Sequence, residues 1–199
     1  MNSLFNRGTQ WGFVVNDIEA AMQHWITVFG VGPFLHIGTI RRHEHDAIYR
    51  GEPTDVQITV AFSYFGETQL EIIQQLNDSP SPYRDFLAEG RAGLQHIGFW
   101  SDSYDQAYQR LVSDGFKPEY RARMQGVPRE TVYFKDPNCV GAMVELSLAT
   151  PRKSRLFGAM ADIVKHWNGS RAIRRYETMD DLAQELGMDT WTSTMPASG

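Results

Sequence analysis

The chain has 199 residues, a formal net charge of −5 and one cysteine. Its length suits one large domain or two small fused ones, and a single cysteine excludes an internal disulfide framework. Apolar residues make up 42% of the chain and charged residues 22%, proportions that exclude an intrinsically disordered protein. No apolar run reaches the roughly 20 residues of a membrane helix and no signal-peptide pattern is visible, so we expect a cytoplasmic protein without a membrane partner. The negative net charge predicts no nucleic-acid partner.

Two segments of the chain read alike, one starting at Gln10 and the other at His96. When the two are aligned, Gly12 falls on Gly98, and each segment opens with a short apolar run rich in aromatic residues. Such a run predicts a strand, and the polar break and helical pattern that follow it predict a capped helix. The chain therefore contains an internal repeat, which indicates two similar modules.

The first copy predicts one helix and three further strands. Its helix follows the N-cap candidate Asp17, carries an apolar stripe and ends at Gly30. Gly66 and Glu67 separate two strand-like runs, as the turn of a β-hairpin would. The further strands are predicted over residues 34–40, 56–65 and 69–74.

The second copy repeats this β-α-β-β-β order after a linker rich in turn-forming residues. The linker, residues 77–82, leads into a short helix predicted over 83–89. The long helix of the second copy ends at Gly115, and a turn at 136–138 precedes the last strand. The further strands are predicted near residues 120–124, 130–134 and 142–148.

The tail beyond the second copy predicts two short amphipathic helices, over residues 154–167 and 178–186. Their apolar stripes need a surface, which leaves three arrangements open: packing on the modules, bridging a dimer, or covering a pocket. We therefore divide the chain into four parts. These are a first βαβββ module (1–77), a linker with a short helix (78–93), a second βαβββ module (94–150) and a C-terminal helical extension (151–199).

Side chains that can bind a metal recur at equivalent places in the two copies. Gln10 and His96 open the first strands, and Glu71 and Glu145 interrupt the apolar last strands. Because side chains alternate along a strand, each glutamate points to the face opposite its apolar neighbours. Taken singly, each residue has an ordinary structural interpretation, such as a solvated glutamine or a hydrogen-bonded core histidine. Their recurrence at equivalent points favours a shared site.

Two such sheets, related by a pseudo-two-fold axis, would each form half of a barrel and bring the four side chains to one cavity. One imidazole, two carboxylates and one amide oxygen form a mixed set of mostly hard ligands. This set suits a divalent metal ion such as Zn, Ni, Co, Mn or Fe, with positions left open for water or substrate. The expected fold class is α+β, with two paired βαβββ modules around a half-barrel metal site.

Six segments carry a resemblance to a known family. They are Gln10-Trp11-Gly12-Phe13-Val14-Val15, Asp17-Ile18-Glu19-Ala20-Ala21, Gly30-Val31-Gly32-Pro33-Phe34, Gln69-Leu70-Glu71-Ile72-Ile73-Gln74, His96-Ile97-Gly98-Phe99 and Asp136-Pro137 followed by Val144-Glu145-Leu146. Together they resemble the vicinal oxygen chelate superfamily, which includes glyoxalase I and methylmalonyl-CoA epimerase. The resemblance spans roughly residues 10–149 and implies paired βαβββ modules that curve around a metal site.

The resemblance also implies a ligand set and a reaction. Gln10, Glu71, His96 and Glu145 fall on the four ligand positions, and Glu145 is the first candidate for the catalytic base, with Glu71 second. The implied protein is a glyoxalase-type lyase or isomerase that removes a proton next to a carbonyl of a small-molecule substrate through a metal-bound enediolate. We expect a homodimer. The alternatives are an Fe(II) oxygenase and a non-catalytic small-molecule binding protein of the same fold.

The surroundings of the two carboxylates bear on their basicity, because a dry environment raises the pKa of a carboxyl group. Phe13, Phe65 and Phe99 are the aromatic residues that we consider for this role, with an ordinary place in the core as the alternative.

Overall fold

The computed structural model describes residues 4–5, 9–42, 46–123, 127–138 and 141–188. Within these ranges, eleven strands form one continuous sheet and five helices pack on it. None of the helices in these ranges is both long and apolar enough to cross a membrane. The α+β fold class predicted from the repeat is confirmed.

Apart from three short strands, the elements follow one another in the order that the repeat predicts. The helices are α1 (Ile18–Phe29), α2 (Pro82–Ala88), α3 (Tyr104–Ser113), α4 (Pro151–Lys165) and α5 (Met179–Glu185). The strands are β1 (Thr9–Val14), β2 (Phe34–Arg42), β3 (Ala47–Tyr49), β4 (Glu52–Pro53), β5 (Val56–Phe65), β6 (Thr68–Gln75), β7 (Gly93–Ser101), β8 (Lys117–Ala122), β9 (Thr131–Lys135), β10 (Met143–Leu148) and β11 (Ile173–Tyr176).

The sheet has a nearly symmetrical centre. Its strand order is β11-β2-β5-β6-β1-β7-β10-β9-β8-β3-β4. β1 pairs in parallel with β6, β7 pairs in parallel with β10, and β1 and β7 pair antiparallel with each other. A pseudo-two-fold axis between β1 and β7 therefore relates the two modules. The four strands that carry the candidate ligands are direct neighbours.

Local sequence signals account for the first helix and the first hairpin. The side chain of Asp17 accepts a hydrogen bond of 2.9 Å from the backbone N–H of Ala20, which caps α1. Gly30 ends α1 with a φ of 64°, a left-handed conformation that glycine adopts without a steric cost. Gly66, with a φ of 62°, forms the turn that joins β5 to β6.

Three short strands differ from the predicted pattern. β3 and β4 form a small hairpin, and β3 pairs with β8 of the second copy through Ala47 opposite Ala122. β11 comes from the tail and pairs in parallel with β2 at one end of the sheet. These strands have two to four residues, and a sequence of that length carries too little alternation to indicate a strand. The four-part division of the chain stays a prediction.

The C-terminal helices pack against the body of the chain. Leu156 and Met160 of α4 and Leu182 of α5 are fully buried in the same core cluster as Val60 and Phe62. α4 begins at Pro151, three residues before its predicted start. Both helices thus pack on the sheet and, as described below, reach the cavity.

Truncating the apolar stripe of α4 should destabilise the whole chain. Leu156→Ala removes a side chain with no solvent exposure and should lower the free energy of unfolding by about 2–5 kcal/mol, the usual cost of such a cavity. Urea denaturation followed by circular dichroism measures this. Ser154→Ala, at an exposed position on the same helix, is the matched control and should change little. Equal stabilities of Leu156→Ala and the wild type would mean that α4 does not contribute to the core.

Candidate metal centre

The seam between β1 and β7 brings the candidate ligands together by symmetry. Gln10 lies opposite Gly98, and Gly12 lies opposite His96. In the two flanking strands, Glu71 pairs with Gly12 and Glu145 pairs with Gly98. The pseudo-two-fold axis therefore exchanges Gln10 with His96 and Glu71 with Glu145.

The two glycines make room for these side chains. A Cβ atom on Gly12 would overlap the imidazole ring of His96. A Cβ atom on Gly98 would lie 3.0 Å from Oε1 of Gln10 and 3.7 Å from Oε1 of Glu145. Each glycine thus leaves the space above its strand to a candidate ligand from the neighbouring strand.

Three acceptor atoms converge at the centre of this arrangement. Nε2 of His96 lies 3.4 Å from Oε2 of Glu71 and 3.4 Å from Oε2 of Glu145. One ligand atom from each of the three residues lies within 4.8 Å of the others. His96 is fully buried and Glu145 is buried, while the side chain of Glu71 is only slightly exposed. The three groups therefore meet in a site from which most water is excluded.

A hydrogen bond between His96 and Gln95 determines which imidazole nitrogen carries the proton. The other nitrogen faces the carboxylates as an acceptor. Oε1 of Gln95 lies 2.7 Å from Nδ1 of His96, and a carbonyl oxygen can only accept, so Nδ1 carries the proton in the neutral ring. Nε2 then presents a lone pair toward Glu71 and Glu145. Nε2 of His96 and Oε2 of Glu71 are buried without a hydrogen-bond partner. Facing lone pairs and negative charges repel one another, so this donor set fits a bound cation.

Gln10 is oriented by a chain of hydrogen bonds that reaches the C-terminal extension. Nε2 of Gln10 donates to Oε1 of Gln69 at 2.7 Å, and Nε2 of Gln69 donates to the hydroxyl of Tyr64 at 2.8 Å. That hydroxyl donates to the backbone oxygen of Phe157 in α4 at 2.8 Å. Because the amide nitrogen of Gln10 is engaged, its oxygen Oε1 is the atom that it can offer to a cation.

Three of the four candidate ligands border a cavity of about 330 Å³ between the two modules. Among the described residues, Gln10, Glu71 and Glu145 line it, together with aromatic and aliphatic side chains of β5, β8 and β9. Helix α4 contributes Lys153 and Phe157, so the C-terminal extension forms part of the wall. The cavity is predominantly apolar, with a small number of polar groups, as is common for small-molecule sites.

The three phenylalanines predicted to surround the carboxylates are not in this cavity. Phe13 packs edge-on against Trp25 of α1, with ring centroids 5.4 Å apart, and Phe99 packs against Phe5 at 5.6 Å. Phe65 is largely exposed. Of the two roles considered, dry surroundings for the carboxylates is excluded for Phe13 and Phe99, because they are odd-numbered positions on strands whose even-numbered positions carry the candidate ligands Gln10 and His96.

Two tyrosines supply the dry surroundings instead. The ring of Tyr133 lies edge-on to the imidazole of His96, with centroids 4.8 Å apart. The hydroxyl of Tyr83 donates to that of Tyr133 at 3.2 Å. Burial, reinforced by the nearby carboxylates, raises the pKa of both tyrosines well above the usual value, so both stay neutral.

Lys153 lies in the cavity wall. It belongs to the basic segment 151–175, for which the sequence left open docking of an anionic ligand, docking on the acidic main body and a solvated helix face. Its ammonium group donates to the hydroxyl of Ser147 at 2.6 Å and lies 4.9 Å from the centroid of the Trp100 ring. Burial lowers its pKa to about 8, although Glu145 and Glu71 act in the opposite direction. The pattern of α4 predicted an amphipathic helix but carried no signal for the direction in which Lys153 points. The sequence did contain a signal for the two glycines of the seam, because the repeat aligns Gly12 with Gly98.

Comparison with known proteins places the chain in a structural context. The Glyoxalase/Bleomycin resistance protein/Dioxygenase superfamily matches residues 9–134. Methylmalonyl-CoA epimerase from Mycobacterium tuberculosis superposes with a TM-score of 0.52 at 19% identity, over 78% of this chain and 95% of the epimerase. At that identity the likeness shows a shared fold alone.

Two further solved structures resemble the chain more distantly. A hypothetical protein from Bacillus halodurans has a TM-score of 0.49 at 16% identity, over 71% of this chain and 92% of that protein. A mutant of 4-hydroxymandelate synthase from Streptomyces coelicolor has a TM-score of 0.48 at 14% identity, over 70% of this chain and 37% of the synthase. No curated protein sequence matches the chain.

Adding a methyl group at Gly12 should disrupt the site. In Gly12→Ala the new Cβ must displace the buried imidazole of His96 or separate β1 from β7, so metal binding should be lost and stability should fall by about 1–3 kcal/mol. Metal analysis and thermal melting measure the two effects. Gly98→Ala should be milder, because the new Cβ would lie 3.0 Å from Oε1 of Gln10 and would not overlap a ring. Gly158→Ala, which meets nothing within 4 Å, is the control. Normal metal content in Gly12→Ala would contradict the geometry.

Proposed function

Because the chain belongs to the Glyoxalase/Bleomycin resistance protein/Dioxygenase superfamily, we propose that it is a metal-dependent lyase or isomerase that removes a proton next to a carbonyl group. The substrate is a small oxygenated molecule that fits the cavity between the modules. The observation that supports this most strongly is the convergence of Glu71, His96 and Glu145, which bring three acceptor atoms within 4.8 Å of one another. A homodimer and a cytoplasmic location stay predictions from the sequence.

Glu71, His96 and Glu145 would hold one divalent ion, with Oε1 of Gln10 as the fourth ligand. Zn, Ni, Co, Mn and Fe all accept this combination of nitrogen and oxygen ligands. A bound ion would act as a Lewis acid on the carbonyl oxygen of the substrate and so make the neighbouring C–H group more acidic. Gln95 supports the set by keeping the proton of His96 on Nδ1.

Glu145 is the proposed base. It lies in the middle of β10, where it pairs with Gly98 on one side and with Tyr133 on the other, so its position is fixed by two neighbouring strands. A carboxylate held in this way can receive a proton from a substrate carbon that enters the cavity. Glu71 occupies the symmetrical position in the first module. A reaction that inverts a carbon centre needs a proton acceptor and a proton donor on opposite faces, and the two glutamates can fill these roles.

The walls of the cavity help to control the proton. The neutral hydroxyls of Tyr83 and Tyr133 can hydrogen-bond to substrate without competing for the proton that Glu145 removes. The apolar walls limit the entry of water, which strengthens electrostatic interactions inside the cavity and protects a reactive carbanion-like state from side reactions. The chain thus provides a base, a binding set for a cation and a dry compartment.

Metal content tests the ligand set without any knowledge of the substrate. His96→Ala removes the sole nitrogen donor proposed for the site, so the purified variant should retain much less divalent metal than the wild type. Elemental analysis of the purified proteins measures this. His24→Ala, at an exposed position on α1, should keep the wild-type metal content. Full occupancy in His96→Ala would show that the metal binds elsewhere.

Exchange of the α-hydrogen in heavy water tests the base. A panel of small 2-oxo and 2-hydroxy acids is incubated with the wild type and with Glu145→Gln, and proton NMR follows the exchange. The variant keeps the shape of the side chain and a weak oxygen ligand, but it lacks the basic group. Its exchange rate should fall by about 10²–10⁴, the usual contribution of a positioned base.

Three results would redirect the proposal. Exchange at the wild-type rate in Glu145→Gln would transfer the role of base to another residue, with Glu71 next in line. Oxygen uptake by the wild type in place of exchange would favour the oxygenase alternative, and ligand binding with neither reaction would favour a binding protein. Glu67→Gln, in the exposed turn between β5 and β6, is the control and should exchange like the wild type.

A further inference from the structure

We infer that Lys153, supplied by the C-terminal extension, binds an anionic group of the substrate and selects small monoanionic carboxylates with an apolar body. This deepens the proposed function: the charge balance rests on the metal centre proposed there, but the binding does not rest on the proposed reaction. Among the cavity-lining side chains in the described ranges, Lys153 is the single cation. The position of the Lys153 charge and the side chains around it indicate the class of substrate.

The ammonium group of Lys153 has spare hydrogen-bonding capacity. An ammonium has three N–H donors, and in the described part of the chain Nζ forms one hydrogen bond, to Ser147, and no ion pair. The rings of Trp100 and Phe157 lie 4.9 Å and 5.4 Å away and exclude water from that side. Lys153 is only partly exposed and has no ion-pair partner among the described residues, so an anion that enters the cavity would gain a charge-assisted hydrogen bond.

Charge balance in the loaded site points to one negative charge on the ligand. Glu71 and Glu145 carry two negative charges, which a divalent ion at the proposed centre would neutralise. The positive charge of Lys153 then remains without a counterpart in the cavity. A substrate with a single carboxylate would balance it, whereas a neutral substrate would not.

The shape of the cavity restricts the rest of the molecule. Its volume is about 330 Å³, and its wall includes Phe62, Phe157 and Met179. These side chains favour an apolar body on the bound acid. Both Lys153 and Phe157 belong to α4, beyond the residues 9–134 that match the superfamily.

The position of Lys153 is set by the start of α4. Thr150 caps the helix by accepting a hydrogen bond of 3.0 Å from the backbone N–H of Lys153. The hydroxyl of Tyr64 anchors the next turn through the backbone oxygen of Phe157. The ammonium therefore reaches the cavity from a helix end that is tied to the sheet.

A matched pair of probes isolates the effect of charge. The probes are 4-methyl-2-oxopentanoate and its primary amide, which have nearly the same shape and differ by one negative charge. Isothermal titration calorimetry gives the dissociation constant of each for the wild type, Lys153→Met, Lys153→Arg and Lys165→Met, all with equal metal content. The ratio of the two constants is compared between the variants, because the contribution of a metal to this ratio is the same in proteins with equal metal content.

The wild type should prefer the acid. Lys153→Met should lose about tenfold to a hundredfold of this preference, the range expected for a hydrogen bond to a charged group, while its affinity for the amide stays the same. Lys153→Arg should recover part of the preference, which a merely structural role would not explain. Lys165→Met, at an exposed position in the last turn of the same helix, should match the wild type.

Three results would overturn the inference: an equal acid-to-amide ratio in the wild type and Lys153→Met, a wild type that prefers the amide, or no binding of the acid at millimolar concentration. Thermal melting of each variant identifies any that fails to fold, and Lys153→Gln then replaces Lys153→Met. These binding results are independent of proton exchange. Acid preference without exchange would contradict the proposed function and leave the role of Lys153 intact.

Discussion

The packing of the His96 imidazole over Gly12 is the contact on which the rest of the site depends. It requires a residue without a side chain on β1, directly opposite a histidine on β7, and therefore fixes the register of the seam between the two modules. That register in turn places Glu71 beside Gly12 and Glu145 beside Gly98. Three acceptors are brought together where little water can separate them, and a cation relieves their mutual repulsion.

The C-terminal extension completes what the paired modules leave open. Helix α4 buries Leu156 and Met160 in the core. Its backbone oxygen at Phe157 accepts the last of the series of hydrogen bonds that orients Gln10. The same helix places Lys153 in the cavity wall. One helix therefore contributes to the stability of the chain, to the orientation of Gln10 and to the charge of the cavity. A change in the packing of α4 would affect each of these properties.

Much of this arrangement could be predicted from the sequence because it repeats. The alignment of Gly12 with Gly98 and of Gln10 with His96 follows from the repeat, and the strand positions of Glu71 and Glu145 follow from alternation. The sequence left the role of the phenylalanines open, and the structure excludes Phe13 and Phe99 from the surroundings of the carboxylates because they lie on the opposite face of their strands. Lys153 could not be predicted, since the direction of a helix side chain depends on how α4 crosses the sheet, and a helical stripe does not specify that. β11 was missed because four residues with two arginines carry no strand pattern.

The most direct test of the central claim is the position of a bound metal, measured by anomalous X-ray diffraction from crystals of the full chain grown with Mn²⁺ or Co²⁺. The account predicts one strong anomalous peak at about 2.0–2.3 Å from Nε2 of His96 and from one carboxylate oxygen each of Glu71 and Glu145. Oε1 of Gln10 should complete the protein ligands. A peak elsewhere in the chain, or no peak at this point in crystals that hold the metal at another site, would contradict the account.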